Sequence, residues 1–234
     1  EAAPAIHGAS GMDGPVLPDP MLRESEEHAV DLIIRMLMES EGDITLVPVG
    51  PLTNIAMAIR REPRIVPKIQ EIVLMGGGTF GNWTPAAEFN IWADAEAAQV
   101  VFGCGAPVTM IGLDATHQAL ATPEINERIG AIRNPVAGFV SELLSFFGKT
   151  YKEFFGFEHP PVHDVCSVVY CIDPSVFDCR VLNVAVETRG ELSYGMTLVD
   201  VHGVTGRTPN AMVALGLHHG RLWDVIIGAL GRYS

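Results

Sequence analysis

The stretch IVLMGGGTFGNWTPAAEFNIWAD, residues 72–94, decides the fold. Its apolar opening, Ile72, Val73, Leu74 and Met75, reads as a buried strand. Three glycines follow, Gly76 to Gly78, where the chain turns sharply or admits a ligand to the backbone. Asn82, Glu88 and Asn90 come next, in a segment too broken by Gly and Pro for a regular helix. Asp94 then reads as the N-cap of a helix that begins at Ala95. The result is a strand, a glycine turn, a polar loop and a helix. In open α/β sheets, ligands bind at the carboxyl ends of strands, and this loop lies at one. Two amides and a carboxylate suit a ligand with several hydroxyls, such as a sugar. A phosphate would ask for Lys, Arg or a helix N-terminus. The same three residues also read as two turn-forming asparagines and a solvated charge.

Working outward, residues 24–40 carry Ala29, Leu32, Ile33, Met36 and Leu37 on one face of an amphipathic helix. ITLVPVG, residues 44–50, reads as a buried strand, and Pro51 starts a helix from Leu52 to about Arg60. After the helix from Asp94 to Phe102, Val108–Leu113 is a further strand with Asp114 and His117 at its end. Those two read either as ligands or as a polar strand end that caps the next turn. Thr122 and Pro123 open another helix, and residues 135–155 form a long one interrupted at Gly148. HPPVHDVC, residues 159–166, stops at two prolines and restarts an apolar helix at His163 and Asp164. Strands are expected around Val181–Val186 and Met196–Val199, and a helix over about Arg221–Leu230. Asp200 and His202 fall in a glycine-rich turn with no role assigned. No repeat, low-complexity tract or linker divides the 234 residues, so one domain spanning 1–234 is expected.

Composition excludes several classes. The formal net charge is −13, and nucleic-acid binding needs a basic face. No apolar run of about 18 residues exists, so no membrane partner is expected. No secretory signal opens the sequence. Cys104, Cys166, Cys171 and Cys179 form no CxxC pair, which argues against a zinc site. They read as thiols of a reducing compartment, so a cytoplasmic location is expected.

MGGG at 75–78, GN at 81–82 and AEFNIWADAEAA at 87–98 together resemble the inosine/uridine-preferring nucleoside hydrolases. VPVGPLTNIA at 47–56, GLDATHQ at 112–118 and VHDVCSVVY at 162–170 resemble further blocks in that family's order, so the likeness covers nearly the whole chain. It implies a mostly parallel open α/β sheet with helices on both faces, a fold related to the Rossmann type. It also implies hydrolysis of the N-glycosidic bond of a ribonucleoside to free base and ribose, with Ca²⁺ assisting. By the same resemblance, Asp164 and the carbonyl of Val49 are metal ligands, and a carbonyl ligand needs no particular side chain. Asn82, Glu88, Asn90 and Asp164 hold the substrate, with Met75 packed beside it. His163 is the catalytic residue on the leaving-base side. HGASGMDGP at 7–15 resembles a family loop whose histidine, here His7, approaches the nucleoside. Tyr151 is carried over as an aromatic contact for the base. Family members carry an earlier Asp-x-Asp-x-Gly-x-Asp-Asp segment that supplies the water-activating base. That pattern is not found here, so the domain is expected to be N-terminally incomplete. A homodimer or homotetramer is implied as well.

Three other classes compete. A non-catalytic nucleoside or ribose binder keeps Asn82, Glu88 and Asn90 and needs no water-activating acid. A dinucleotide-binding oxidoreductase is suggested by the strand and GGG, but the turn is not G-x-G-x-x-G and no helix follows it directly. An inactive truncated hydrolase would keep the fold alone.

Overall fold

The structure, a computed structural model, describes Gly8, residues 11–17 and residues 19–233. The strands are Ile44–Leu46 (β1), Ile69–Met75 (β2), Val108–Ile111 (β3), Phe177–Leu182 (β4), Val184–Val186 (β5), Thr197–Val199 (β6) and Ala211–Leu217 (β7). The α-helices are Ala29–Glu39 (α1), Thr53–Arg61 (α2), Phe89–Ala93 (α3), Ala95–Phe102 (α4), Leu113–Thr116 (α5), Pro123–Gly130 (α6), Pro135–Phe155 (α7), Asp164–Ile172 (α8) and His219–Leu230 (α9). Contacts divide the chain into two compact units. The larger comprises Glu24–Thr116 and His163–Leu217; the smaller takes the segment up to Arg23, His117–Val162 and the segment from His218.

The larger unit is built on a five-stranded sheet in the order β1-β2-β3-β7-β4. All its pairings are parallel except β4 with β7. Residues Ile72 and Leu74 of β2 share a core with α1, α2 and α4. Val73 points the other way, because side chains alternate along a strand, and is also fully buried. α8 packs on β2 as well. A strand covered on both faces explains why residues 72–75 are a continuous apolar run and not an alternation. This is the mostly parallel, helix-covered sheet expected from the sequence. β5 and β6 form a separate antiparallel pair.

Cap chemistry placed several boundaries correctly. Asp94 accepts from Ala97 N–H and starts α4, and Thr122 accepts from Ile125 N–H and starts α6 behind Pro123. Four expectations are corrected. Only Ile44–Leu46 of the 44–50 strand pairs, and the chain then turns through Pro48. α3 is a true helix, although short, because Glu88 caps it with its own carboxylate. β7, the strand that fills the gap between β3 and β4, is absent from the sequence-based set. AMVALGL carries Gly216 and no alternation, since both its faces are covered.

The fourth correction lies in the smaller unit, where α7 runs unbroken for 21 residues through Gly148. One interior glycine costs about 1 kcal/mol relative to Ala. The apolar face of so long a helix outweighs that. Pro160 lies against Gly148, where an added Cβ would stand 3.4 Å from its ring. Asn134 caps α7 by accepting from Ala137 N–H at 2.8 Å and donates to Leu230 O at 2.9 Å. Ile125, Ile129, Ala137, Leu144, Trp223 and Leu230 form this unit's core. Among the described residues no helix is long and apolar enough to cross a membrane.

Asn210, just before β7, fastens three elements of the larger unit. Its Nδ2 donates to Phe102 O and to Val184 O, both at 3.0 Å, and its Oδ1 accepts from Val184 N–H at 2.8 Å. Asn210→Ala is expected to destabilise the fold by about 2 kcal/mol, the cost of leaving such backbone groups without a partner. The urea midpoint measures this, and an unchanged midpoint would refute the role.

Candidate active site

The site is assembled at the carboxyl ends of β2 and β3 in the larger unit. At Gly77 the backbone is left-handed, with φ at 73°. A Cβ there would meet Met110 Sδ at 2.9 Å and the Thr197 side chain at 3.0 Å. Glycine therefore serves both the turn and the close packing. Thr197 of β6 clamps the next residue: its Oγ1 accepts from Gly78 N–H at 2.9 Å and donates to Gly78 O at 2.6 Å. Asp114 holds the residue after that, accepting from Thr79 N–H at 2.8 Å and Thr79 Oγ1 at 2.5 Å. Asp114 thus ties back to the loop after β2, 35 residues upstream, and these bonds do not cap the turn that follows it.

Glu88 is 3% exposed. Its Oε2 accepts from Gly77 N–H at 2.9 Å and Ile91 N–H at 3.3 Å, and its Oε1 from Asn90 N–H at 2.9 Å. One carboxylate thereby joins the glycine turn to the start of α3. Burial pushes its carboxyl up to about 7; the backbone N–H groups pull it back, and the charge of Asp164 adds to the rise. Asn90, also buried, donates from Nδ2 to Met75 O at 3.0 Å. Asn82 Oδ1 accepts from Phe89 N–H at 3.0 Å. These bonds fix which end of each amide faces inward. What remains for a ligand is the Nδ2 donors of Asn82, the Oδ1 of Asn90, and one lone-pair direction on Glu88 Oε1.

His163 and Asp164 open α8. His163 is its N-cap residue but makes no side-chain cap bond; its Nδ1 lies 2.8 Å from Thr116 Oγ1. Asp164 is exposed by surface area. Enough protein nevertheless surrounds its carboxyl that desolvation raises it above the usual range. Access follows the exposed area, so water or an ion reaches the group. Among the described residues no hydrogen bond or ion pair meets this carboxylate. Its charge acts on Glu88 and helps burial push the Cys166 thiol up to about 12. The two chemical centres read from the sequence, 72–94 and 159–166, therefore adjoin. Met75 N–H donates to Pro48 O at 3.0 Å, which fastens the residue before Val49 to the end of β2.

Of the remaining sequence candidates, His7 lies outside the described residues. Tyr151 belongs to the smaller unit, 5% exposed, with the rings of Phe147 and Phe155 at 4.5 and 4.9 Å. His117 is in that unit too, edge-on to Phe157. Asp200 spends its carboxylate on Val204 N–H, Thr205 N–H and Thr205 Oγ1, a turn lock. Thr116 and Thr197 were missed. Thr116 stands inside the GLDATHQ block between the two residues that drew notice, while Thr197 carries no local signal.

Among the described residues no three His, Cys, Asp or Glu side chains gather as a metal-holding cluster. The donors present still suit a hard cation. A carboxylate such as that of Asp164 and a backbone carbonyl are the oxygen types it takes, and two such groups would supply two of about six to eight positions.

The folded chain holds the Glu88 proton more tightly than the unfolded chain, whose ordinary value is 4.5. The protonated, uncharged form is the one burial favours, so this group's contribution is present below about pH 4.5 and is lost as pH rises to about 7. Chelator-treated protein is expected to lose urea stability across that window, with a flatter slope in Glu88→Gln. Identical slopes in the two proteins would contradict the assignment.

Comparison with known proteins places this geometry. A family model described as inosine-uridine preferring nucleoside hydrolase matches residues 1–224. The pyrimidine-specific ribonucleoside hydrolase RihA of Shewanella sp. (strain ANA-3) is 45% identical over 231 residues, covering 98% of this chain and 73% of that protein. Its namesake in Escherichia coli O1:K1 / APEC is 44% identical, covering 98% and 74%. Among solved structures, the purine-preferring ribonucleoside hydrolase from Gardnerella vaginalis superposes with a TM-score of 0.90 at 32% identity, covering 100% of this chain and 77% of that one. A plant nucleoside hydrolase, PpNRh1, gives 0.90 at 29% identity, covering 100% and 76%.

Proposed function

The chain belongs to the inosine-uridine preferring nucleoside hydrolase family, an N-ribohydrolase by descent, and we propose that it hydrolyses pyrimidine ribonucleosides to free base and ribose with calcium assisting. One observation carries the proposal. The unpaired carboxylate of Asp164 adjoins the loop whose Glu88, Asn82 and Asn90 present a fixed set of donors and acceptors. The preference for pyrimidines is supported by the relatives at 44–46% identity, named as pyrimidine-specific. The purine-preferring neighbour stands further off, at 32%.

Water adds to the anomeric carbon as the bond to the base nitrogen breaks, the bonding pair leaves with the base, and the proton lost by the water passes to solvent, from which the departed base is reprotonated. The ribose flattens and gains positive charge, so it must be gripped by groups that tolerate little movement. Asn82 Nδ2, Asn90 Oδ1 and Glu88 Oε1 meet the hydroxyls. Each is held by a backbone bond and needs no reorganisation to do so. Met75, whose sulfur lies 3.4 Å from Asn90 Nδ2, packs beside the sugar. His163 serves the leaving base, by proton or by hydrogen bond. Asp164 and the carbonyl of Val49 would hold the cation. When bound, calcium supplies a hard positive centre for water and ribose oxygens.

Reducing-sugar release from uridine, cytidine and inosine tests the reading. The pyrimidine nucleosides are expected to be cleaved faster, a chelator to stop turnover, and calcium to restore it. Sustained turnover in chelator would remove the metal from the account. Asp164→Ala is expected to lose calcium binding by calorimetry and at least about 100-fold in kcat/KM, with the circular dichroism spectrum kept. Unchanged calcium dependence would overturn the ligand role.

A further inference from the structure

Asp200 and His202 stand in a turn that the hydrolytic reaction does not use. That turn follows β6 and, with β4, lines a cavity of about 460 Å³. Leu182, the last residue of β4, lines it too and pairs with Ala211, the first residue of β7. β7 runs parallel to β3. The cavity therefore lies toward the amino ends of the parallel strands, whereas the active site lies at their carboxyl ends. The lining is basic in a chain whose net charge is −13: Arg180, His202 and Arg207 all contribute to it. Arg180 spends one N–H on Val201 O at 2.8 Å. Among the described residues, neither the Arg207 guanidinium nor the His202 ring has a hydrogen bond or ion pair. The one carboxylate in the lining, Asp200, is already occupied. It accepts from Val204 N–H and Thr205 N–H, both at 2.8 Å, and from Thr205 Oγ1.

Those bonds also fix the frame that carries the cations. Arg207 N–H donates to Thr205 Oγ1 at 3.3 Å, and Asn183 Nδ2 donates to Thr208 O at 2.8 Å, so the turn is tied on both sides of Arg207. Two guanidiniums outnumber the single carboxylate, and their planar forks match the geometry of a phosphate. The volume falls in the range of small-molecule sites and exceeds what a bare oxyanion fills. Asn183 Oδ1 has no partner among the described residues and can accept from a hydroxyl, while Val181 and Pro209 supply an apolar wall. We propose that this cavity binds a small hydroxyl-bearing phosphate monoester, a sugar phosphate, with its phosphate between Arg180 and Arg207 and His202 as a further donor. The site is separate from the ribohydrolase centre and does not rest on that reading. Free inorganic phosphate carries the same oxyanion, and the two ligands are told apart by their relative affinity.

Calorimetric titration of the full chain with ribose 5-phosphate and with inorganic phosphate tests this. The ester is expected to bind saturably in the millimolar range or below, and inorganic phosphate more weakly. Inorganic phosphate that binds as tightly overturns the ester as the ligand. Arg207→Gln should weaken ribose 5-phosphate at least about tenfold, the loss expected for charge-assisted hydrogen bonds. Arg189→Gln removes the same charge from the turn between β5 and β6, outside the cavity, and should leave affinity within about twofold. Asn82→Ala, in the active site, should leave it equally unchanged, which separates this binding from ribose held at the catalytic centre. The guanidinium Nε–Hε signals of the wild-type chain need no variant: those of Arg180 and Arg207 should move on adding ribose 5-phosphate, and that of Arg189 should not. Absence of saturable binding, affinity kept in Arg207→Gln or lost in Asn82→Ala, or Arg180 and Arg207 signals that stay in place would overturn the site. A chain that cleaves no nucleoside refutes the ribohydrolase reading alone, and these titrations still decide the cavity.

Discussion

The buried carboxylate of Glu88 is the constraint on which the site depends. Three backbone N–H groups converge on its two oxygens, from Gly77 on one side and from Asn90 and Ile91 on the other. Those groups have no helical partner of their own, two because they open α3 and one because it sits in a glycine turn. A neutral side chain of similar size could not satisfy all three. The charge that makes Glu88 a good acceptor is also what burial penalises, and the penalty is partly recovered in hydrogen bonds. Once Glu88 is fixed, the register of α3 follows, and with it the side chain of Asn90 against Met75. Strand, turn and helix are then one rigid piece.

That rigidity bears on the chemistry. Groups that grip a sugar as it flattens contribute most when they do not have to move first. Each amide in the site has one end bonded to the backbone and, among the described residues, the other without a partner. The unpaired carboxylate of Asp164 stands beside this preorganised set and is the one acid there with no protein partner among the described residues. A satisfied network next to an unsatisfied charge is the arrangement expected where a cation or solute completes the site.

What was legible in the sequence follows physical range. Asp94 and Thr122 announced helix starts because capping is settled within three residues, whereas Pro51 stands two residues before its helix and not at the first helical position. Glu88 concealed one, because glutamate is an uncommon N-cap and its reach to Gly77 spans 11 positions. The pairing of Thr116 with His163 joins residues 47 apart, and Thr197 with Gly78 joins residues 119 apart. Neither can be read from a window of neighbours. Gly148 was read as a break from its identity alone, without the weight of the helix around it. Residues 211–217 failed as a strand for a related reason. A short apolar run buried on both sides has no period to detect.

The place of β7 has a consequence for how the protein is made. It lies between β3 and β4, pairing Thr109 with Met212 and Phe177 with Leu217. Until the ribosome has delivered residues 211–217, β3 has an open edge and β4 has no partner. The nascent sheet must wait in halves, each exposing unpaired backbone and apolar side chains. Parallel pairing across so long a separation closes late, after its loop entropy has been met. Such a chain is expected to lean on chaperones during synthesis, and to be least tolerant of truncation at the far end of its sheet.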